Sequence, residues 1–376
     1  MDKEEFISPS PKYRAKPFWA WNGNLKKEEL LRQIQIFKTM GFGGFFMHSR
    51  TGLQTEYLGD EWFRLTNFCA DEAEKAGIEA WLYDEDRWPS GTAGGMVTED
   101  LDYRPQFLEL TIYRPYAKAE DKELKKIENA EAVFVCDLKD GCFRNLKRTS
   151  GWREEENCFY RLVFQIVKAE CKDMYNGYTY LDTMNRNAVN RFLQLTHEQY
   201  KKNCGDRLGR NIKGIFTDEP HRGPMFTVFA DGRENRIPYT DHLFAEFLDR
   251  FGYDLKDALP YLFLREEGVP FSKVSVDYIE LCQELFLENY AAPIQEWCKE
   301  NHMCFTGHVL QEDSLSAQTI MQGSLMRFYE YMDIPGIDIL TEYNVCWWAA
   351  KQAESVARQL GKPLYFRNCT EEPGGR

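Results

Sequence analysis

The sequence predicts an α/β protein of the TIM (β/α)8-barrel type, lacking its last helix and carrying a small antiparallel β insertion after the third strand. Three observations carry that expectation. Short apolar segments alternate with amphipathic stretches, the mark of βαβ units and a parallel sheet. Eight such segments can be counted along the chain, where an open doubly wound sheet usually has about five or six. The alternation breaks once, between about Gln106 and Ala169, in runs of period two such as Phe107-Leu108-Glu109-Leu110-Thr111-Ile112-Tyr113, and these read as antiparallel strands.

Residues 1–15 carry Ser8-Pro9-Ser10-Pro11 among charges and read as a surface arm, with the barrel domain running from residue 16 to 366. Strand one is expected at Pro17–Trp21, followed by a helix from Lys26 to Met40 that ends at Gly41. Strand two is expected at Gly43–His48, a helix over Glu61–Lys75 before Gly77, and strand three at Glu79–Tyr83. The insertion occupies about residues 106–169. Thr179–Asp182 is expected as strand four, with a helix over Ala188–Lys202, and Ile212–Thr217 as strand five, with a helical region from Tyr239 to about Lys299. Cys304–His308, Ile337–Leu340 and Lys362–Phe366 complete the eight, with a helix over Cys346–Leu360 between the last two.

Forty-seven Lys and Arg against sixty Asp and Glu give a net charge of −13 over 376 residues. Phosphate backbones and anionic lipids repel that balance, and no segregated basic patch offsets it, so nucleic acid and membrane are excluded as partners. No stretch reaches the ~18 apolar residues that span a bilayer. The opening Met1-Asp2-Lys3-Glu4-Glu5 lacks the apolar core of a signal peptide, and a cytoplasmic location is the expectation. The eleven cysteines are scattered and form no CxxC pair, so reduced, mostly buried thiols are expected rather than a metal or disulfide framework.

In barrels of this type chemistry sits at the C-terminal ends of the strands. Those ends supply Trp19 and Asn22; His48 and Arg50; Tyr83, Asp84, Glu85 and Trp88; Asp182; Asp218 and Glu219; and His308 and Glu312. Carboxylates beside aromatic rings suit carbohydrate, because rings cover the apolar faces of sugars while acids bind hydroxyls and carry protons. An oligosaccharide or glycoside is therefore the expected ligand. Neither GxGxxG nor GxxxxGK[ST] occurs, and Gly91-Thr92-Ala93-Gly94-Gly95 reads as a tight loop. Glu219, at a strand end and just before Pro220, is the strongest single candidate for catalysis. His308 and Glu312 stand four apart, a metal-sharing spacing on a helix; a strand end gives that geometry poorly, and hydroxyl contacts are the expectation.

Pro17-Phe18-Trp19-Ala20-Trp21-Asn22-Gly23, Gly43-Gly44-Phe45-Phe46-Met47-His48-Ser49-Arg50, Trp81-Leu82-Tyr83-Asp84-Glu85-Asp86-Arg87-Trp88-Pro89-Ser90-Gly91 and Phe216-Thr217-Asp218-Glu219-Pro220 together resemble the α-L-rhamnosidases of glycoside hydrolase family 106. The resemblance implies a TIM barrel, an inverting mechanism with two glutamates and a calcium ion near the site. It puts Glu219 at the general acid. It puts the base in a Ser-Glu pair after strand eight, where this chain instead reads Arg367-Asn368-Cys369-Thr370-Glu371-Glu372.

Were Phe366–Gly375 encoded TTT CGG AAC TGT ACG GAG GAA CCG GGT GG, the overlapping frame would read Ser-Glu-Leu-Tyr-Gly-Gly-Thr-Gly-Trp. Residues 367–376 are thus expected to be a frameshifted tail and the chain a truncated, inactive form. Two rival readings stand beside this one. One is another barrel glycosidase pairing Glu219 with Glu312 or Glu85. The other is a non-catalytic carbohydrate-binding or inert fragment.

Overall fold

The computed structural model describes residues 3–118, 121–225, 235–339, 347–362 and 366–368. Among these residues thirteen strands form two sheets. In chain order they are β1 (Phe18–Trp21), β2 (Gly44–Ser49), β3 (Glu79–Tyr83), β4 (Gln106–Tyr113), β5 (Ala132–Lys139), β6 (Cys142–Thr149), β7 (Tyr160–Lys168), β8 (Ile212–Asp218), β9 (Asn235–Tyr239), β10 (Arg265–Glu266), β11 (Cys304–His308), β12 (Ile334–Asp338) and β13 (Phe366–Asn368).

The first sheet has the order β1-β2-β3-β8-β11-β12-β13 and is parallel throughout. This corrects the expected (β/α)8 barrel. Among the described residues seven strands are present where eight were expected, and no pairing joins β1 to β13. The missing member is strand four. Thr179–Asp182 runs in no sheet, because its backbone groups are satisfied elsewhere: the Thr98 hydroxyl donates to the Thr179 carbonyl at 2.8 Å, and the Asp182 amide donates to Tyr103 at 2.9 Å. With that segment held by the loop after β3, β3 pairs directly with β8. Of the expected strand Ile337–Leu340, Leu340 lies outside the described residues, and β12 begins three residues earlier, at Ile334.

The second sheet, ordered β10-β6-β5-β7-β4-β9, is antiparallel except for the β10–β6 pair. The insertion is therefore not confined to residues 106–169. Two strands that follow β8 close its edges, one of them in the stretch expected to be helical. That stretch also contains helices Leu243–Phe251 and Lys273–Phe286, the latter continuing through a π turn at Leu287–Ala291 into Ala292–Glu300. The π turn sits where the Tyr290 hydroxyl meets the Thr217 hydroxyl on β8, at 3.0 Å.

Side chains two apart on a strand share a face, and this parity sorts the parallel sheet. Met47, Leu82, Ile215, Phe305 and Ile337 join the large core beneath the flanking helices. Phe18, Phe46, Trp81, Tyr83 and Phe216 form a second cluster on the opposite face. Trp19 and Trp21 take the helix side, where Trp19 donates to Gln33 at 2.5 Å and packs on Phe37 and Phe45. Among the described residues no helix is long and apolar enough to cross a membrane.

A Cβ at Gly214 would lie 2.3 Å from the Trp81 ring and 2.4 Å from the Cys304 carbonyl. Gly214→Ala should therefore cost about 1–3 kcal/mol of stability, read from urea unfolding, because two neighbouring strands leave no room for it. A neutral substitution would mean that β3, β8 and β11 are not adjacent.

Candidate functional site

The aromatic face of the parallel sheet turns polar toward the strand ends. Stepping by two from the apolar floor leads from Phe46 to His48, from Trp81 to Tyr83, from Phe216 to Asp218, from Thr306 to His308 and from Gly336 to Asp338. Five strands thus bring a side chain at or next to their C-terminal end to one rim.

These side chains form a connected network. The Asp218 carboxylate receives the Tyr83 hydroxyl at 2.6 Å on one oxygen and His308 Nε2 at 2.7 Å on the other. His308 Nδ1 faces Glu312 Oε1 at 3.6 Å. Glu312 also accepts the Asp338 amide at 2.9 Å and stands 3.1 Å from the Tyr329 hydroxyl, which locks the end of β12 to β11. His48 stacks on Tyr83 with ring centroids 3.5 Å apart.

Charges in this network are set by burial and partners. Burial alone would neutralise His308, but its contacts with Asp218 and Glu312 raise it well above its ordinary value, so it is an imidazolium. Burial likewise opposes ionisation of Asp218, yet His308 and Tyr83 hold it below the usual carboxylate range. His48 lacks such a partner, and burial lowers it to about 3, so it is neutral.

Glu219 follows β8 with φ of +50°, a left-handed conformation that is uncommon for a residue with a side chain. Its amide donates to the His308 carbonyl at 3.1 Å. Its carboxyl accepts from the indole N–H of Trp88, which is 37% exposed and covers the rim. Burial pushes Glu219 up to about 7, with His308 opposing and Asp218 adding to the rise. A carboxyl poised near neutrality can give a proton and take it back, as general acids do.

Other sequence candidates lie apart from this cluster. Glu85 turns into its own loop: one oxygen accepts from the amides of Gly91, Thr92 and Ala93 at 3.0, 2.6 and 2.9 Å, the other from those of Gly94 and Asp86 at 2.6 and 2.8 Å. Burial raises this carboxyl and the amides oppose it. Asp84, fully buried, accepts from Ser90, whose hydroxyl in turn receives the Asp218 amide at 2.7 Å. Trp19 packs under helix Lys27–Thr39, Asn22 and Arg50 are exposed, and Asp182 lines a separate cavity. Asp338 was not expected at the site. The signal for it was the period-two step along Ile334, Gly336 and Asp338, hidden because the strand was expected to start at Ile337.

Ligand atoms of Glu219, His308 and Asp338 lie within 4.8 Å of one another. Calcium, which the resemblance implies, takes six to eight oxygen ligands. Two carboxylates and an imidazolium already bound to Asp218 do not fit that ion.

No family model matches the sequence, and no curated protein matches it. Among solved structures, the rhamnosidase from Novosphingobium sp. PP1Y superposes with a TM-score of 0.64 at 14% identity, over 98% of this chain and 53% of that one. The fold is similar to that of a rhamnosidase. This chain spans about half the length of that protein, and at such identity the likeness is one of fold.

A histidine raised by its partners stabilises the folded state at pH values below its ordinary 6.5, and that contribution is lost as pH climbs through the raised value. The imidazole nitrogens of His308 should therefore keep the protonated NMR signature at pH 8. Titration near 6.5 would remove the imidazolium from the network.

Proposed function

We propose that this chain carries the acid half of a glycosidase site of the inverting α-L-rhamnosidase type, with Glu219 as general acid. The observation that carries the reading is a half-buried carboxyl pushed up to about 7, at the rim of a sheet lined with aromatic rings, beside an ionised Asp218 and a protonated His308. The four sequence motifs and the similar fold support it.

In this reading the protonated Glu219 gives its proton to the glycosidic oxygen as the bond from that oxygen to the anomeric carbon breaks. Trp88 holds the carboxyl and shields it from water. Asp218, already satisfied by His308 and Tyr83, is a hydroxyl acceptor rather than a proton donor. A water attacks the opposite face of the sugar, and a carboxylate removes its proton, leaving rhamnose of inverted configuration and the free alcohol.

Inversion needs the two carboxyl groups some 6.5–9.5 Å apart, roughly, to admit that water. Asp338, within 4.8 Å of Glu219, is too close for that role. The resemblance puts the base at position 368, and in the sheet Asn368 is the register partner of Asp338, so a glutamate there would stand beside the cluster. Asparagine removes no proton, and slow turnover is the consequence. A second reading rests on the same closeness, because retention uses carboxyl groups nearer to each other than inversion does, with Asp338 as nucleophile and Glu219 as acid, then base.

The experiment compares hydrolysis of an aryl and an alkyl α-L-rhamnoside by the chain, by Arg367→Ser/Asn368→Glu, and by Glu219→Gln in that background. Restoring the Ser-Glu pair should raise turnover by roughly 10² or more, and Glu219→Gln should then cut alkyl rhamnoside turnover by about 10² and the aryl substrate less. Because the raised carboxyl loses its proton as pH climbs through about 7, the alkali limb of the profile should fall there and vanish in Glu219→Gln. Equal losses on both substrates, or no hydrolysis by any form, would defeat the acid role. NMR of the first-formed anomer separates inversion from retention.

A further inference from the structure

Next to the rim lies a cavity of about 380 Å³, walled by Tyr175, residues 179–184, and His221 and Arg222, two and three residues beyond Glu219. That is the size range of small-ligand pockets. We propose that it is a subsite for a carboxylate-bearing sugar, a hexuronate, whose carboxylate pairs with Arg222. The inference rests on the carbohydrate reading of the neighbouring rim.

Arg222 is only 5% exposed. Its guanidinium is held by the carbonyls of Gly223, Thr319 and Ile320 at 3.2, 3.0 and 3.3 Å, and its Nε has no partner. Among the described residues no carboxylate lies within ion-pair distance of it. Buried arginines are almost always paired with an acid, because three carbonyl dipoles position a guanidinium without neutralising it. Burial without an acid beside it lowers the pKa of this guanidinium to about 10.

The other walls do not supply the missing charge: Glu170 lines the cavity but is exposed, and no ion pair joins it to Arg222. Asp182, the buried acid of the cavity, spends its oxygens on the Thr240 hydroxyl at 2.6 Å and the Met184 amide at 3.0 Å, and burial raises it to about 7. Arg236, also on the wall, is already paired with Glu109 at 2.6 Å. A ligand carboxylate would supply the anion that this guanidinium lacks, taking the Nη2 hydrogen that the Thr319 carbonyl leaves over. The sugar ring has a surface as well: Tyr180 and His221 stack at 4.5 Å, and His221 Nδ1 has no protein partner. Lys172 stands exposed at the mouth.

The test is the thermal midpoint of the whole chain with D-galacturonate, its methyl ester or D-galactose. The acid should stabilise the protein at concentrations at least about tenfold below those at which either neutral sugar does. Arg222→Met should abolish the effect. Should that variant fail to fold, Lys172→Glu, altering an exposed side chain, should weaken galacturonate binding several-fold. Equal stabilisation by all three sugars, no stabilisation by galacturonate, or full binding in Lys172→Glu would overturn the proposal. Hydrolysis and uronate binding are read separately, so a chain that binds galacturonate but cleaves no rhamnoside defeats the glycosidase reading alone, and the converse defeats this one alone.

Discussion

The imidazolium of His308, held between Asp218 and Glu312, ties together the ends of three strands. Asp218 ends β8, His308 ends β11, and Glu312 accepts the backbone amide of Asp338 at the end of β12. A buried charge of this kind costs several kcal/mol of desolvation per ion, and removing one partner would leave the others uncompensated. The arrangement is held by charge: two carboxylates flank one cation, one hydrogen-bonded to Nε2 and the other 3.6 Å from Nδ1, and Tyr83 donates to Asp218 as well. Glu219 lies in the field of this network, and its amide is fixed by the carbonyl of the same histidine. Its proton affinity therefore depends on whether His308 keeps its charge.

A second constraint orders the loop between β3 and the second sheet. The Glu85 cage of amide donors gathers the Gly91–Gly95 turn around one carboxylate, and the Ser90 amide and hydroxyl bind β8 at Asp218. Trp88 lies within this stretch. The indole that covers Glu219 is thus carried by a segment anchored at both ends, which keeps a large side chain in place at an otherwise open rim. Rigidity near the reacting group is what a proton donor needs, since small displacements cost large factors in rate.

Much of this was legible in the residues, for physical reasons that also explain the failures. Short, nearly continuous apolar runs located the strands of the parallel sheet, because burial on both faces demands them. The same criterion admitted Thr179–Asp182, whose composition suits a strand; only the positions of Thr98 and Tyr103 decide where its backbone hydrogen bonds go. The strand ends pointed to His48, Tyr83, Asp218, Glu219, His308 and Glu312, which the structure gathers. Trp19 faces the other way, since parity at a four-residue strand cannot be assigned without knowing what covers each face. Glu85 looked like a site acid because the acidic run hides a second signal, the succession of small residues whose amides converge on it. Arg222 gave no signal at all, its isolation being a property of the packing.

The central claim is that a glycoside places its scissile oxygen at Glu219. A crystal structure of Glu219→Gln with an aryl α-L-rhamnoside bound tests this most directly. The account predicts the glycosidic oxygen within about 3 Å of the residue 219 side chain, with the sugar lying over the aromatic face between Trp88 and His308. A glycoside seated elsewhere, with residue 219 beyond hydrogen-bond reach of the glycosidic oxygen, would contradict it.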